Sequence, residues 1–409
     1  MPERINVAVV GAGRRAAQYF RYVPDDLRAL VRLAAIADPN EPNREAFQRL
    51  FAPRRRIRQY SDADEMLANE NPDAVIIASP NKYHAHHTQL AITAGAHVLL
   101  EKPVATSVAE CRQVWQAARA RRAGGRETSV MVGFVLRYTA FYSRIQEIVA
   151  SGELGTILAI DADENLGTGL TGLFHKSWRR RSDLSGGFLL EKCCHDFDIL
   201  NWLVGSVPYR AFAIGKRTHF VPSNTGDRQA RFDPEVISQI DVADFGDREI
   251  NAAFPVPLEG SPYDSPSDSP DHTAVLLDFA SGALCTFVAC MGQPRTTRRI
   301  RIFGTNGDLE GNIDDSRIVI HKPHARDNGC DVKDIPIAAE KHNHHGGDGV
   351  LAHAFWRTAA NQAEPSRAGL REGIDAALVA LAAQQSAAAG QSVNIAELRS
   401  QVFDFRERI

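Results

Sequence analysis

The first third of the chain alternates short apolar runs with longer stretches of helical periodicity. Each apolar run holds four or five residues without polar alternation, which is typical of parallel strands buried on both faces. The runs are Val7–Val10, Leu33–Ala37, Ala74–Ala78, His97–Leu100 and Ser129–Val132. The helices predicted between them are Arg14–Tyr22, Glu41–Phe51, Ala63–Ala68, Ala85–Ala94 and Val108–Arg122. This order predicts an α/β domain with a doubly wound parallel sheet over residues 1–132.

From residue 133 onward the pattern changes, because strand-like runs follow one another. The predicted strands are Thr156–Glu164, Arg210–Gly215, Thr273–Phe279, Leu284–Met291, Arg299–Gly304 and Arg317–His321. The predicted helices are Tyr138–Ala150, Gly186–Val204 and Leu370–Ala389. Successive strands favour antiparallel pairing, so residues 133–409 are expected to form an α+β domain with a large, mostly antiparallel open sheet. The stretch Pro255–Asp271 is rich in Pro, Ser and Asp and is expected to be a loop.

Composition limits the classes of partner. The chain has 409 residues, which is more than one core organises, and its formal net charge is −3. This charge favours neither nucleic acid nor an anionic membrane surface as a partner. No apolar run reaches the ~20 residues of a membrane span. The N-terminus lacks the order of a signal peptide, and the six cysteines have no framework spacing. We therefore expect reduced thiols and a cytoplasmic location.

A glycine-rich loop joins the first apolar run to the first helix, with the sequence Gly11-Ala12-Gly13-Arg14-Arg15-Ala16. Gly11 permits a tight turn, and Gly13 lets a pyrophosphate approach the backbone. The small Ala16 allows close packing of helix on strand, and the helix N-terminus presents free N–H groups to phosphates. The loop therefore predicts a dinucleotide site of the Rossmann type, with Arg14 and Arg15 beside the phosphates.

Asp38 ends the second apolar run. A carboxylate at this position can accept hydrogen bonds from both hydroxyls of the adenosine ribose and would repel a 2′-phosphate. The expected cofactor is therefore NAD rather than NADP, although Arg14 and Arg15 weaken that preference.

Two further loops leave the carboxyl ends of strands, where ligands of a doubly wound sheet bind. Their candidate residues are Ser79, Pro80, Asn81 and His84 in the first loop and Glu101, Lys102 and Pro103 in the second. A lysine beside a nicotinamide would place its ammonium near a substrate oxygen. Taken alone, a lysine such as Lys102 is more often a surface salt-bridge residue.

Together these motifs resemble the glucose–fructose oxidoreductase, inositol dehydrogenase and rhizopine-catabolism family, written Gfo/Idh/MocA. The resemblance continues in the second domain, where Gly186–Asp198 is similar to the family's active-site helix and Phe303–Gly307 to its Gly-Thr-x-Gly turn. It implies an NAD(H) or NADP(H) cofactor and sugars, cyclitols or their derivatives as substrates. Glu191 departs from the family, which commonly has Asp at this position.

The predicted helix Gly186–Val204 carries Glu191 and His195 four residues apart, so the two side chains are expected on one face and in contact. Asp198 follows on the same stripe. A carboxylate that holds one imidazole nitrogen leaves the other free as a base. We hypothesise that His195 removes a hydroxyl proton as hydride leaves, that Lys102 stabilises the alkoxide, and that Glu191 orients His195. The alternative is a structural ion pair at the start of a helix.

The same three residues, Lys102, Glu191 and His195, are expected to contact the substrate. Trp178 and Arg179 precede the helix and could line a sugar pocket, in which the indole offers an apolar face to ring C–H groups. A packed tryptophan beside a surface arginine is an equally open alternative. Arg137 follows the last strand of the first sheet and could hydrogen-bond substrate hydroxyls.

The sequence also allows other functions. Metal-ligand types occur at His84, His86 and His87, in His342–His345 and in Cys193–His195, but none has metal-site spacing, so no metal is expected. Bound NAD could instead support redox-assisted glycoside cleavage. The protein could also be a non-enzymatic dinucleotide-binding regulator. An open sheet should leave an apolar face exposed, so a homodimer or homotetramer is expected.

Overall fold

The computed structural model describes residues 4–124, 128–226, 232, 247–324, 327–338, 344–362 and 366–403. These residues form two sheets. The first has six parallel strands in the order β3-β2-β1-β4-β5-β6, and the second has nine strands in the order β14-β13-β12-β11-β7-β10-β9-β8-β15. The prediction of a Rossmann sheet followed by a mostly antiparallel open sheet is confirmed.

The strands are β1 Ile5–Val10, β2 Val31–Ala37, β3 Arg58–Tyr60, β4 Ala74–Ile77, β5 His97–Leu100, β6 Val130–Val132, β7 Ile157–Gly167, β8 Pro208–Lys216, β9 His272–Phe279, β10 Leu284–Gln293, β11 Thr297–Gly304, β12 Gly307–Asn312, β13 Arg317–Pro323, β14 Cys330–Pro336 and β15 Val393–Asn394. The helices are α1 Arg14–Arg21, α2 Glu41–Phe51, α3 Ala63–Asn69, α4 His84–Ala94, α5 Val108–Ala123, α6 Ala140–Ala150, α7 Thr168–Lys176, α8 Ser182–Ser185, α9 Phe188–Glu191, α10 Cys194–Val204, α11 Arg248–Ala253, α12 Gly347–Ala359, α13 Leu370–Ala389 and α14 Ile395–Val402.

The first sheet is buried on both faces, as continuous apolar strands require. Every residue of β4 is inaccessible to solvent, and β1 is nearly so. The edge strand β3 was not predicted, because its sequence Arg-Gln-Tyr is short and polar. A helix from far along the chain also packs against the domain that contains this sheet. Trp356 of α12 is fully buried, and its Nε1 donates to the carbonyl of Tyr19 at 3.1 Å.

The second sheet alternates buried and exposed side chains along its strands, as β9 and β10 show. Strand β7 pairs in parallel with β10 and antiparallel with β11. Helix α13 covers one face, and Ser386 on it accepts a hydrogen bond from the backbone N–H of Ala213 at 2.9 Å. The division of the chain at residue 132 into two domains stays a prediction.

The prediction of one helix over Gly186–Val204 was wrong. Gly186 and Gly187 have φ values of +81° and +89°, which lie outside the helical region, and Lys192 and Cys193 separate α9 from α10. In an unbroken helix the N–H of His195 would donate to the carbonyl of Glu191. Here Lys102 Nζ donates to that carbonyl at 2.6 Å. Glu191 and His195 therefore belong to different helices and do not share one face.

The stretch Pro255–Asp271 contains no helix or strand, so the loop prediction is confirmed. Several of its polar side chains are nevertheless buried. Asp271 is 1% exposed and accepts hydrogen bonds from the backbone N–H groups of Thr218, His219 and Phe220. The loop thus packs through hydrogen-bonded polar groups and also through the fully buried ring of Tyr263, which lies 5.4 Å from that of Phe220.

Candidate active site

The phosphate loop has the geometry that the glycine pattern predicts. Gly11 has φ +82°, and an added Cβ would lie 2.5 Å from the backbone nitrogen of Ser79. An added Cβ at Gly13 would meet nothing within 4 Å, so the space above Gly13 is open. Gly13 is the N-cap of α1, and no side chain caps that helix. The first turn of α1 therefore presents its N–H groups to an open space, which is how dinucleotide sites hold a pyrophosphate.

Asp38 lies at the end of β2 next to this loop. Its Oδ2 accepts from the backbone N–H of Ala12 at 2.9 Å, and its Oδ1 accepts from that of Asn40 at 2.8 Å. Burial raises the pKa of Asp38 above its ordinary value, while these two hydrogen bonds act to lower it. The backbone thus fixes the carboxylate at the edge of the cleft.

A cleft of about 760 Å³ runs along the carboxyl ends of the first sheet. The predicted residues in its walls are Gly11, Gly13, Arg14, Arg15, Asp38, Ser79, Pro80, Trp178 and Arg179. Another part of the cleft wall is formed by Asp247–Pro257, a segment from the second half of the chain. Both halves of the chain therefore contribute to one cleft.

Two predicted cofactor residues hold the loops rather than line the cleft. Asn81 is buried, and its Nδ2 donates to the carbonyl of Ser185 at 2.7 Å. His84 is 1% exposed, with its Nδ1 2.7 Å from the carbonyl of Pro103 and its Nε2 2.7 Å from that of Ser79. The predicted contact of these side chains with the cofactor is not what the geometry shows, because backbone carbonyls occupy both imidazole nitrogens of His84 and the amide nitrogen of Asn81.

A buried ionic chain connects the phosphate loop to the lysine loop. Arg15 Nε donates to Glu101 Oε1 at 2.8 Å, and Arg15 Nη1 donates to Asp348 Oδ1 at 3.0 Å. Asp348 also lies 2.8 Å from Nδ1 of His344. Burial acts to raise the pKa of both carboxyls, but Arg15 holds the pKa of each below its ordinary value. Glu101, predicted as a cofactor residue, therefore anchors the loop that carries Lys102.

Lys102 lies against Glu191. Its Nζ donates to the Glu191 carbonyl and lies 3.4 Å from Glu191 Oε1. Arg179 Nε donates to the same carboxylate oxygen at 2.8 Å, and the Arg179 guanidinium stands 4.7 Å from the ring centroid of Trp178. Burial acts to raise the pKa of Glu191, but Lys102 and Arg179 lower it to about 2. Glu191 is therefore a carboxylate held between two cations, adjoining the cleft through Arg179.

His195 is 6% exposed, and its Nδ1 has no hydrogen-bond partner among the described residues. The expected hydrogen bond in which the Glu191 carboxylate accepts from His195 is absent there, because the break between α9 and α10 turns Glu191 toward Lys102 and Arg179. Burial lowers the pKa of His195 well below the ordinary imidazole value, and the charges of Lys102 and Arg298 lower it further. The imidazole is therefore neutral at pH 7 and lies near Lys102.

Arg137 does not fit its predicted contact with substrate. Its guanidinium donates to both carboxylate oxygens of Asp198 at 2.7 Å, and its side chain is 6% exposed. It also lies 5.1 Å from the ring centroid of Trp202. The pair fixes α10 against the turn after the first sheet, so both Arg137 and Asp198 have structural partners.

Charged residues that the sequence did not indicate surround His195 on the side of the second sheet. Arg298 Nε donates to Asp196 Oδ1 at 2.8 Å, and Arg298 also pairs with Glu164 on β7. Lys192 Nζ lies 3.1 Å from Glu164 Oε1. Burial raises the pKa of Asp196, although Arg298 opposes this. Glu164 and Arg298 could have been recognised in the sequence as charged residues within strands. Buried strand positions rarely hold a charge without a partner or a function.

Metal sites and membrane-spanning helices are both missing from the described ranges. No group of three or more His, Cys, Asp or Glu side chains there could hold a metal ion. Of the run His342–His345, His342 and Asn343 lie outside the described residues. Among the helices of the described chain, none combines the length and apolar character needed to cross a bilayer.

Two family models match the chain. The first, GFO_IDH_MocA, is described as an oxidoreductase family with an NAD-binding Rossmann fold and matches residues 5–127. The second is the C-terminal alpha/beta domain of the same oxidoreductase family and matches residues 146–395. The two matches follow one another along the chain in the order of the two sheets.

Individual relatives match over shorter stretches. The chain is 28% identical to inositol 2-dehydrogenase of Paracoccus denitrificans over 233 residues, which cover 57% of this chain and 62% of that protein. It is 30% identical to D-xylose 1-dehydrogenase (NADP(+)) of Hypocrea jecorina over 174 residues, 41% of this chain and 42% of that protein. The chain thus spans less than two thirds of the length of the relatives it matches.

Solved structures match over nearly the whole chain. Levoglucosan dehydrogenase in complex with NADH and levoglucosan superposes with a TM-score of 0.72 at 19% identity, covering 96% of this chain and 100% of that one. Myo-inositol 2-dehydrogenase from Lactobacillus plantarum superposes with a TM-score of 0.68 at 18% identity, covering 96% and 99%. At this level of identity the likeness shows a shared fold.

Proposed function

The chain belongs to the Gfo/Idh/MocA oxidoreductase family, and from that premise we propose that it transfers hydride between a nicotinamide cofactor and a secondary hydroxyl or ketone of a sugar, cyclitol or related polyol. The observation that carries the proposal is that Glu191 pairs with Lys102 and with Arg179, and that Arg179 lines the cleft that also holds the phosphate loop and Asp38. Lys102, Glu191 and His195 are not among the residues that line this cleft, and they adjoin it through Arg179. The relatives named as dehydrogenases of inositol and xylose support the substrate class.

The cleft fits a nicotinamide dinucleotide. The open space at Gly13 and the uncapped start of α1 suit the pyrophosphate, and the fixed carboxylate of Asp38 suits the hydroxyls of the adenosine ribose. When bound, the nicotinamide supplies the hydride acceptor or donor. We propose NAD rather than NADP, because a 2′-phosphate would meet the Asp38 carboxylate.

The residues beside the cleft would handle the proton and the charge. The neutral imidazole of His195 can accept the proton of a substrate hydroxyl, and the Lys102 ammonium can stabilise the negative charge that develops on that oxygen. Glu191 fixes the positions of Lys102 and Arg179 through its carbonyl and carboxylate. This role replaces the predicted orientation of His195 by Glu191. Trp178, held beneath Arg179, offers its ring face to sugar C–H groups.

The function is tested by following absorbance at the reduced-nicotinamide band with NAD and with NADP across polyols, cyclitols, sugars and sugar acids. We expect turnover with at least one such substrate and a preference for NAD. The Asp38→Ala variant should lose the preference for NAD while keeping its fold, since the Asp38 carboxylate accepts its hydrogen bonds from Ala12, Asn40 and Asn43 at the edge of the cleft. Release of an aglycone from glycosides without net NADH would instead favour the glycoside-cleaving alternative. NAD(H) binding without turnover on any substrate would favour the regulator.

We also propose that the open face of the second sheet packs on a second copy of the chain. Four apolar side chains on adjacent strands, Ile214, Leu276, Leu284 and Val288, are between 43% and 57% exposed. Cross-strand register places Leu276 and Val288 on the same face of β9 and β10. An apolar face of this kind is usually covered in a homo-oligomer. Light scattering should give the mass of a dimer or tetramer, and a monomeric mass at micromolar concentration would contradict the proposal.

The six cysteines are all unpaired, which suits a reducing compartment. We therefore propose that the protein works in the cytoplasm.

A further inference from the structure

We propose that the segment Asp247–Pro257, which contains α11, holds the cofactor against the first sheet, and that the carboxamide of Asn251 is a hydrogen-bonding group for the ribose and pyrophosphate of the nicotinamide dinucleotide. The inference rests on the proposed function only in taking the dinucleotide as the occupant of the cleft. It adds a binding element that comes from the second half of the chain.

The segment crosses the cleft over the phosphate loop. Ile250, Asn251 and Phe254 line the same cleft as Gly13 and Asp38. Phe254 is 3% exposed, and its ring lies 6.1 Å from that of Phe47 on α2, the helix that follows Asp38. The segment is therefore packed above the part of the cleft that runs from the phosphate loop to the adenosine side.

Polar contacts fasten the segment on the side of α1. Arg14 Nε donates to the carbonyl of Phe254 at 2.7 Å. Arg21, at the other end of α1, pairs with Glu249 at 2.6 Å and with Asp247 at 3.2 Å. Two arginines of the helix whose N-terminus would hold the phosphates thus also hold the segment above it. Because the Arg21 pairs are partly exposed, they are expected to be weak and salt-sensitive.

Asn251 is the part of the segment with an unused hydrogen-bonding group. Asn251 is 8% exposed and lines the cleft. Its Nδ2 is shielded from solvent and has no hydrogen-bond partner among the described residues, so the carboxamide must rotate for Nδ2 to donate into the cleft. A buried amide without a partner is destabilising, so native structures seldom keep one that nothing satisfies. A nicotinamide dinucleotide in the cleft would bring acceptor oxygens, on its ribose and pyrophosphate, close to this amide.

The consequence is kinetic as well as thermodynamic. A dinucleotide under Asp247–Pro257 has protein on both sides, so it leaves only when the contacts of Arg14, Arg21 and Asn251 with it or with the segment are broken. Dissociation of NADH should therefore depend on residues that lie more than 200 positions from the phosphate loop along the chain.

The test measures binding and release of NADH by the full chain, using fluorescence titration and stopped-flow displacement with excess NAD. Asn251→Ala should weaken NADH binding and speed its release by about three- to tenfold, the effect of one lost hydrogen bond. Asn251→Asp keeps the shape of the side chain but places a carboxylate beside the pyrophosphate, so it should weaken binding more than alanine does. Arg21→Ala should speed release while leaving Asn251 in place.

The matched control is Asn306→Ala, an exposed asparagine in the turn between β11 and β12, which should leave both constants unchanged. Circular dichroism on every variant separates lost binding from lost folding. Unchanged binding and release in both Asn251 variants would overturn the inference and leave the proposed function standing. Failure of the wild-type chain to bind NAD(H) would overturn both. NADH binding that depends on Asn251, without turnover on any polyol, would support the inference and count against the proposed reaction.

Discussion

Replacing Lys102 with methionine is expected to lower kcat by about 10²–10³-fold, the effect of removing one preorganised charge at a developing oxyanion. Methionine keeps most of the length and apolar volume of the lysine stem, so α9 and the cleft should stay in place. The affinity for NAD(H) should change little, since the phosphate loop, Asp38 and Asn251 line the cleft and Lys102 does not. Steady-state kinetics on the best polyol and NADH fluorescence titration measure the two effects separately.

The chain offers a matched control for this substitution. Lys82 is an exposed lysine in the turn Asn81–Tyr83, close to the same cleft, and Lys82→Met should leave kcat near the wild-type value. Lys102→Arg should be intermediate, because a guanidinium keeps the charge but is larger than the ammonium that Glu191 now holds. Near-normal turnover in Lys102→Met would remove Lys102 from the proposed mechanism, whatever the control shows.

The sequence predicts the first sheet well for a physical reason. A strand buried on both faces must be apolar at every position, and so Ala74–Ile77 and His97–Leu100 are visible without any knowledge of their neighbours. The same reasoning fails for strand β14, Cys330–Pro336, which is an exposed edge with a largely polar sequence. The position of β14 is set by its pairing with β13. The local pattern of apolar and polar residues does not predict such pairing.

The site divides in the same way. The phosphate loop and Asp38 could be predicted because their geometry is local, and glycine at φ +82° has a recognisable cause. The relation of Glu191 to His195 could not, because helical spacing assumes a continuous helix. Here a lysine from the first half of the chain takes the Glu191 carbonyl, and the carboxylate turns with it. A tertiary contact with Lys102 thus determines that the Glu191 carboxylate pairs with cations rather than with His195.

The role of Asp247–Pro257 was also beyond local reasoning. Nothing in the sequence around Asn251 indicates that the segment lies beside the cleft, because the segment is held there by Arg14, 240 positions from Phe254. Long-range contacts thus place a helical asparagine in the wall of the cleft. The buried, unpartnered amide becomes visible only in three dimensions.

Replacing His195 with glutamine should lower kcat/KM by about 10²–10⁴-fold, the usual effect of losing a positioned general base. The pH dependence gives a sharper test. Burial and the nearby cations lower the pKa of His195, and the form that accepts a proton is the neutral one. As pH falls through 6.5, the ordinary imidazole value, the wild-type enzyme should therefore keep its kcat/KM, and the loss should come only at lower pH. His353→Gln, at an exposed position on α12, should leave both the rate and the profile unchanged. An acid limb at or above pH 6.5 that is retained in His195→Gln would show that another group accepts the proton.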